Sequence, residues 1–230
     1  MASQIIQTVF GAGADNGLAL GNNDLVRPFE FGSNWSTIRI GLLCSMTPDG
    51  TSNILGAGLA IGACDYPRSY STAQAFMCGL ISSPGGTSAY TANSGNPYYD
   101  VPCYCAKIVG TTITYATFNR NIPVNTTSPA RRSLIIVELS RTATQISTAH
   151  LYAGQTTDYT SSHMYQYIEQ MTTSPAPTVG GVALTNQGAQ TVAVPANEQG
   201  ALARLNALNI RWMRDTLPFN IYELVIFRTA

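Results

Sequence analysis

The sequence is poor in charged residues. Only 10% of them are Asp, Glu, Lys or Arg, and twelve basic residues balance twelve acidic ones. Ordinary domains carry about 25% charged residues. A chain without net positive charge lacks the attraction for phosphates that drives nucleic-acid binding, so we expect no nucleic-acid partner.

Long apolar runs are also missing. No stretch approaches the roughly 18 apolar residues of a membrane span. Residues 1–10 (MASQIIQTVF) have neither the basic region nor the apolar run of a secretory signal. We therefore expect no membrane partner.

Motifs for catalysis, cofactors and metals are scarce. The acidic residues are scattered singly, whereas a glycoside hydrolase needs two carboxylates close together. The two histidines, His150 and His163, have neither metal-ligand spacing nor a nucleophile motif beside them. We expect no enzyme, no cofactor and no metal. Glu138 and Glu223 interrupt apolar strands, and we expect each to face solvent or to pair with an arginine on a neighbouring strand.

The five cysteines do not define a disulfide framework. Cys44, Cys64 and Cys78 each lie within an apolar stretch, which is typical of small buried side chains. Cys103 and Cys105 fall on one face of a predicted strand, where a mutual disulfide would be too strained.

Short β-rich runs separated by Gly, Pro, Asn and Asp dominate the chain. Such a pattern predicts an antiparallel β-sandwich. The predicted strands are 37–44, 108–118, 134–139, 148–152, 209–213 and 220–227.

One or two short helices are predicted: the first candidate is 197–208, and the second, 161–171, would be one or two helical turns. Asn197 is positioned to cap the first candidate, and three leucines follow at a spacing of three. Residues 171–200 carry one charge, Glu198, and much Pro and Gly. This segment is either an extended arm that pairs with another subunit or an irregular strand pair at 181–184 and 190–194. No repeat or composition change divides the chain, so we expect one domain over 1–230.

The last third of the chain resembles the laminin-G-like and concanavalin-like β-sandwich family. Residues 132–140 (RSLIIVELS) and 149–154 (AHLYAG) resemble that family's "w-h-v-a-v-t" strand and the following "L-Y-v-n-G" strand. Residues 219–230 (FNIYELVIFRTA) resemble its closing "G-i-d-E-l-i-i-y-n-r-a" strand. The resemblance implies an all-β, jelly-roll or concanavalin-like sandwich. Arg131 or Arg132 stands where the family usually has Trp, and no acidic cluster marks a calcium site.

A tyrosine-rich segment, 88–105, is the candidate contact region. Aromatic rings combined with amide and carboxylate groups suit sugar recognition, and tyrosine is equally favoured at protein interfaces. A third possibility is that these tyrosines cover one end of the sandwich. The candidate residues are Tyr90, Tyr98, Tyr99, Asp100 and Tyr104.

The overall style of the sequence resembles a bacteriophage structural protein. Zero net charge removes the repulsion that keeps copies apart, which favours a homo-oligomer. The leading hypothesis is a non-enzymatic virion structural protein: a capsid decoration, tail or fibre-associated component. It would be made in a host cytoplasm and would contact other virion proteins or a host surface. The alternative is a carbohydrate-binding, lectin-like module that acts outside the cell.

Overall fold

The computed structural model describes a set of separate segments of the chain. No helix within these segments is long and apolar enough to cross a lipid bilayer. The described residues are 4–9, 18–20, 25–26, 30–46, 59–66, 76–82, 91–92, 98–109, 112–125, 132–156, 178–179, 182–183, 185–186, 190–212 and 219–229.

Strands make up most of the described residues. The helix α1 (Gln199–Ala203) follows the fifteenth strand in the chain and precedes the sixteenth. The strands are β1 (Gln4–Val9), β2 (Leu18–Leu20), β3 (Leu25–Val26), β4 (Thr37–Met46), β5 (Leu59–Cys64), β6 (Phe76–Ser82), β7 (Thr91–Ala92), β8 (Tyr98–Val109), β9 (Thr112–Asn125), β10 (Arg132–Arg141), β11 (Gln145–Thr156), β12 (Thr178–Val179), β13 (Val182–Ala183), β14 (Thr185–Asn186), β15 (Gln190–Ala193), β16 (Ala207–Trp212) and β17 (Phe219–Thr229).

The strands form two main antiparallel sheets. Sheet A has eight strands in the order β1-β17-β4-β10-β11-β14, with β2 beside β17 and β15 beside β11. Sheet B has seven strands in the order β3-β16-β5-β6-β8-β7, with β9 beside β8. The short strands β12 and β13 pair with each other.

One hydrophobic core lies between the two sheets. We call the face of each sheet that lines this core its inner face, and the opposite face its outer face. Alternate residues of the central strands enter the core, as the pleat requires. Its members include Ile38, Ile40, Leu42, Ile135, Val137 and Leu139 from sheet A, and Ile61, Cys78, Cys105, Leu208 and Ile210 from sheet B. The predicted antiparallel β-sandwich is therefore confirmed.

Strand β4 is buried on both faces, as its continuous apolar sequence predicts. Leu42 and Cys44 are 0% exposed on the inner face, and Leu43 between them is 6% exposed on the outer face. Sheet B has a second apolar cluster on its outer face, so burial there also extends beyond the shared core. That cluster contains Ala60, Cys64, Met77, Ala106, Ile108 and Ala207.

Two glycines allow β5 and β6 to approach closely. Gly62 and Gly79 lie directly opposite each other. A Cβ atom at Gly62 would lie 2.1 Å from the backbone oxygen of Cys78, and one at Gly79 would lie 2.1 Å from that of Ile61. No other residue fits either position without moving the strands apart.

An arginine and a tryptophan hold α1 against one end of the sandwich. The Arg141 guanidinium lies 4.1 Å from the Trp35 ring centroid. Its Nε donates to the Trp35 carbonyl at 2.9 Å, and its Nη1 donates to the Leu202 carbonyl at 2.9 Å. Trp35 Nε1 donates to the Leu205 carbonyl at 2.8 Å. Burial lowers the pKa of Arg141 to about 10, so the guanidinium keeps its charge at neutral pH.

The helix predicted at 197–208 is much shorter in the structure. It covers only Gln199–Ala203, and its N-cap residue is Glu198, without a side-chain capping bond, rather than Asn197. From Ala207 onward the chain instead pairs with β5. Pairing within the sheet outweighs a helix propensity that Gly200 already weakens. The three leucines at 202, 205 and 208 are nevertheless all in the core.

The predicted strand at 209–213 matches β16 over 209–212, and residue 213 lies outside the described residues. Four other predicted strands agree with the structure over their whole length. Those at 37–44, 134–139, 148–152 and 220–227 lie within β4, β10, β11 and β17. The run at 108–118 is instead the end of β8 and the beginning of β9. The predicted helix at 161–171 lies outside the described residues. Within 171–200, β15 pairs with β11, and the prediction of one domain over 1–230 stays a prediction.

Candidate functional site

The candidate site lies on the hairpin formed by β8 and β9. Val109 pairs with Thr112 beside the two-residue connection, and the ladder continues to Tyr98 opposite Asn125. Thr, Ile, Val and Tyr recur along both strands, which suits an extended pleated backbone. The second half of the tyrosine-rich segment 88–105 belongs to strand β8.

The part of this hairpin farthest from Val109 extends beyond the end of the neighbouring strand β6. The last pair between β6 and β8 joins Ser82 to Cys103. Among the described residues, those at 98–102 therefore have β9 on one side and the two-residue strand β7 on the other. This part of sheet B lies beyond the end of β6.

The pleat of β8 determines which residues share a face. Cys105 belongs to the core between the sheets, whereas Ala106 belongs to the outer cluster of sheet B. Odd-numbered residues of β8 thus lie on the inner face and even-numbered residues on the outer face. Tyr98, Asp100 and Tyr104 consequently occupy the outer face together.

The register brings two asparagines of β9 to the same face. Asn125 lies opposite Tyr98, and Asn121 lies opposite Pro102, between Asp100 and Tyr104. The irregularity between Cys103 and Tyr104 adds two residues to β9 and leaves this alternation intact. We call Tyr98, Asp100, Tyr104, Asn121 and Asn125 the outer strip.

The structure separates the sequence-predicted contact residues. Tyr98, Asp100 and Tyr104 are in the outer strip. Tyr99 occupies the inner face, because it follows Tyr98 in a regular strand. Tyr90 lies outside the described residues, and the contact role of all five stays a prediction.

The two asparagines were not found from the sequence. Their position beside the tyrosines depends on the antiparallel pairing of β8 with β9 and on the two extra residues of β9. The sequence predicted one continuous strand at 108–118, so it gave no hairpin from which to read a register. The available signal was the Gly110-Thr111 pair between two β-rich runs.

The outer strip carries one charged residue, Asp100. The arginine of β9, Arg120, lies opposite Cys103 and therefore on the inner face. Lys107 is also an inner-face residue, and its Nζ lies 2.5 Å from Glu198 Oε2. The strip thus combines two phenol rings, two amides and one carboxylate.

A different polar group lies on the outer face of sheet A. Glu138 Oε2 accepts a hydrogen bond from Arg39 Nε at 2.5 Å across the β4–β10 ladder. The side chains are 16% and 10% exposed for Arg39 and Glu138. The Arg39 guanidinium also lies 5.4 Å from the Phe227 ring centroid. The predicted pairing of Glu138 with an arginine on a neighbouring strand is confirmed.

Glu223 is buried as well, at 2% exposure, but it is remote from Glu138. Glu223 lies opposite Leu43 of β4, whereas Glu138 lies opposite Arg39 on the other side of that strand. Four residues along β4 correspond to about 13 Å. The two carboxylates therefore lack the spacing of a glycoside hydrolase pair. The absence of enzymatic activity stays a prediction.

The cysteines with described side chains are all buried. They are Cys44, Cys64, Cys78 and Cys105. Their predicted role as small buried side chains is confirmed for Cys44, Cys64 and Cys78. Desolvation raises the pKa of Cys44 and Cys78, and proximity to Cys105 raises that of Cys78 further. Within the described segments, no group of three or more His, Cys, Asp or Glu residues is arranged to hold a metal ion.

Comparisons with known proteins give similarity to solved structures only. No family model and no curated protein matches the chain. The exoplasmic/lumenal domain of VIP36, bound to calcium and mannose, aligns at 8% identity and a TM-score of 0.41 over 99% of this chain and 83% of that one. Peanut lectin aligns at 7% sequence identity and a TM-score of 0.37, over 100% of this chain and 98% of that one. Alginate lyase A1-II' aligns at 11% sequence identity and a TM-score of 0.28, over 99% of this chain and 80% of that one.

The virion and lectin hypotheses both stay predictions. Identities of 7 to 11% leave the function to be argued from this chain's own residues.

Proposed function

We propose that this chain binds carbohydrate through the outer strip. One observation carries this proposal: the β8–β9 register collects Tyr98, Asp100, Tyr104, Asn121 and Asn125 on one face of one sheet. Phenol rings offer flat apolar faces for the C–H faces of a sugar ring. Amides donate and accept hydrogen bonds, and a carboxylate accepts two, which matches adjacent sugar hydroxyls. A few polar groups beside aromatic surface are typical of ligand sites.

A glycan array tests this function directly. The wild-type chain is expected to bind a restricted set of glycans, and Asp100→Ala is expected to weaken that binding about tenfold or more because hydroxyl acceptors are lost. Glu30→Ala is the matched control, since Glu30 is an exposed acid far from the hairpin. Absence of binding by the wild-type chain, or equal loss in both variants, would contradict the proposal.

Self-association is the second proposal, and it keeps the part of the virion hypothesis that concerns assembly. The chain has zero net charge, so electrostatic repulsion between copies is weak. Light scattering of the native protein measures this directly. A stable oligomer supports an assembly role, whereas a monomer of 24.5 kDa contradicts it.

A further inference from the structure

The outer strip is longer than one sugar ring. Tyr98 and Tyr104 are six residues apart on the same face of β8. At about 3.3 Å per residue, their backbones are separated by about 20 Å. A monosaccharide cannot contact both tyrosines at once, so a ligand that uses the whole strip contains several sugar units.

The polar residues lie between and beside the two tyrosines. Asp100 follows Tyr98 on the outer face, and Asn121 comes next through its pairing with Pro102. Aromatic positions near both ends with hydrogen-bonding groups between them suit consecutive units of an extended chain. A branched ligand end would use a compact pocket instead.

The charge of the strip selects against acidic glycans. Asp100 is its single charged residue, and the two basic residues of the β8–β9 hairpin strands, Lys107 and Arg120, are on the inner face. Arg120 lies opposite Cys103, and Lys107 is paired with Glu198. A uronic acid or sulfate on the ligand would approach the Asp100 carboxylate without a cation in the strip to balance it. Like-charge repulsion of this kind is a common source of specificity.

We infer that the ligand is an uncharged, linear glycan of several units lying along β8, an inference that rests on the proposed carbohydrate-binding function. The ligand direction follows the strand from Tyr98 to Tyr104. Shorter neutral sugars bind at one end of the strip and gain affinity as they reach the other tyrosine.

Calorimetry with defined oligosaccharides tests this inference. The neutral probes are cello-, manno- and xylo-oligosaccharides from monomer to hexamer, and the charged probes are oligogalacturonates of equal length. Affinity for at least one neutral series is expected to rise about tenfold or more with length and then level off, which corresponds to an added contact at the second tyrosine. The galacturonates are expected to bind at least about tenfold more weakly than that series.

Two variants test the effect of ligand length on affinity separately from the effect of ligand charge. Tyr104→Ala is expected to abolish the gain in affinity with ligand length, because the contact at one end of the strip is lost. Asp100→Asn is expected to narrow the difference between neutral and charged series, because it removes the repelling carboxylate and keeps the side-chain size.

Failure of the inference is distinct from failure of the proposed function. Glycan binding that saturates at a monosaccharide, or that favours galacturonates, overturns the inference and leaves carbohydrate binding intact. Absence of binding to these probes and to every glycan of the array overturns both.

Discussion

Tyr98 and Tyr99 are neighbours in the chain but lie on opposite faces of sheet B. The phase of the alternation is established by Cys105, which is in the core, and by Ala106, which is in the outer cluster. Of these two tyrosines, Tyr98 is the one that shares a face with Asp100 and Asn125. The two tyrosines therefore form a matched pair of probes, one inside the outer strip and one outside it.

The Arg39–Glu138 ion pair is expected to be costly to break. Glu138→Ala is predicted to lower the free energy of unfolding by about 2–4 kcal/mol, because it leaves the mostly buried Arg39 charge without its partner. Urea denaturation of the wild-type and variant chains measures the difference.

The double variant Arg39→Met, Glu138→Leu is the control for this prediction. Both charges are then absent and the apolar neighbours Phe227 and Ile136 can pack against the new side chains, so stability is expected within about 1–2 kcal/mol of wild type. A double variant at least as unstable as Glu138→Ala would show that packing, not charge pairing, gives these residues their importance.

Arg141 is expected to be irreplaceable by lysine. Arg141→Lys is predicted to cost about 2–3 kcal/mol, because one ammonium cannot stack on Trp35 and also reach the carbonyls of Leu202 and Leu205. Arg204→Lys, at the exposed end of α1, is expected to change stability by less than about 0.5 kcal/mol. Similar thermal denaturation of both variants would contradict the role assigned to Arg141.

The buried thiols are expected to make stability depend on pH. Burial raises the pKa of Cys44 and Cys78, so the folded chain keeps protons that the unfolded chain releases above the ordinary thiol pKa of about 8.5. Their contribution to stability is complete below that pH and declines as the pH rises above it. Urea denaturation between pH 7 and about 9.5 measures this decline, and Cys44→Ala is expected to make it shallower.

Iodoacetamide labelling offers an independent check on the same thiols. At pH 8 the reagent is expected to leave Cys44 and Cys78 unmodified in the folded chain and to modify both in urea, because thiolate is the reactive form. Rapid modification of the folded chain at either position would contradict their burial.

The sandwich could be predicted from the sequence because its central strands have a clear pattern. The runs at 134–139 and 220–227 are mostly apolar and rich in β-branched residues, each interrupted by one glutamate, and the structure places them in β10 and β17. The helix at 197–208 could not be bounded, because the pairing of Ala207 with Cys64 joins residues far apart in the chain. Local propensity contains no information about such a partner.

The candidate site could be predicted only in part. The tyrosine-rich composition of 88–105 indicated the region and three members of the outer strip. Separation of Tyr99 from them required the regular pleat of β8, and recruitment of Asn121 and Asn125 required the hairpin register. A shift of one residue would exchange the two faces of β9, so composition alone cannot identify these partners.

The most direct test compares Tyr98→Ala with Tyr99→Ala by calorimetry, with the best neutral glycan from the array as ligand. Tyr98→Ala is predicted to weaken binding about tenfold or more, because an aromatic contact of the outer strip is lost. Tyr99→Ala is predicted to retain affinity within about threefold, since its residue lies on the inner face. Equal losses in the two variants, or a loss confined to Tyr99→Ala, would contradict carbohydrate binding by the outer strip.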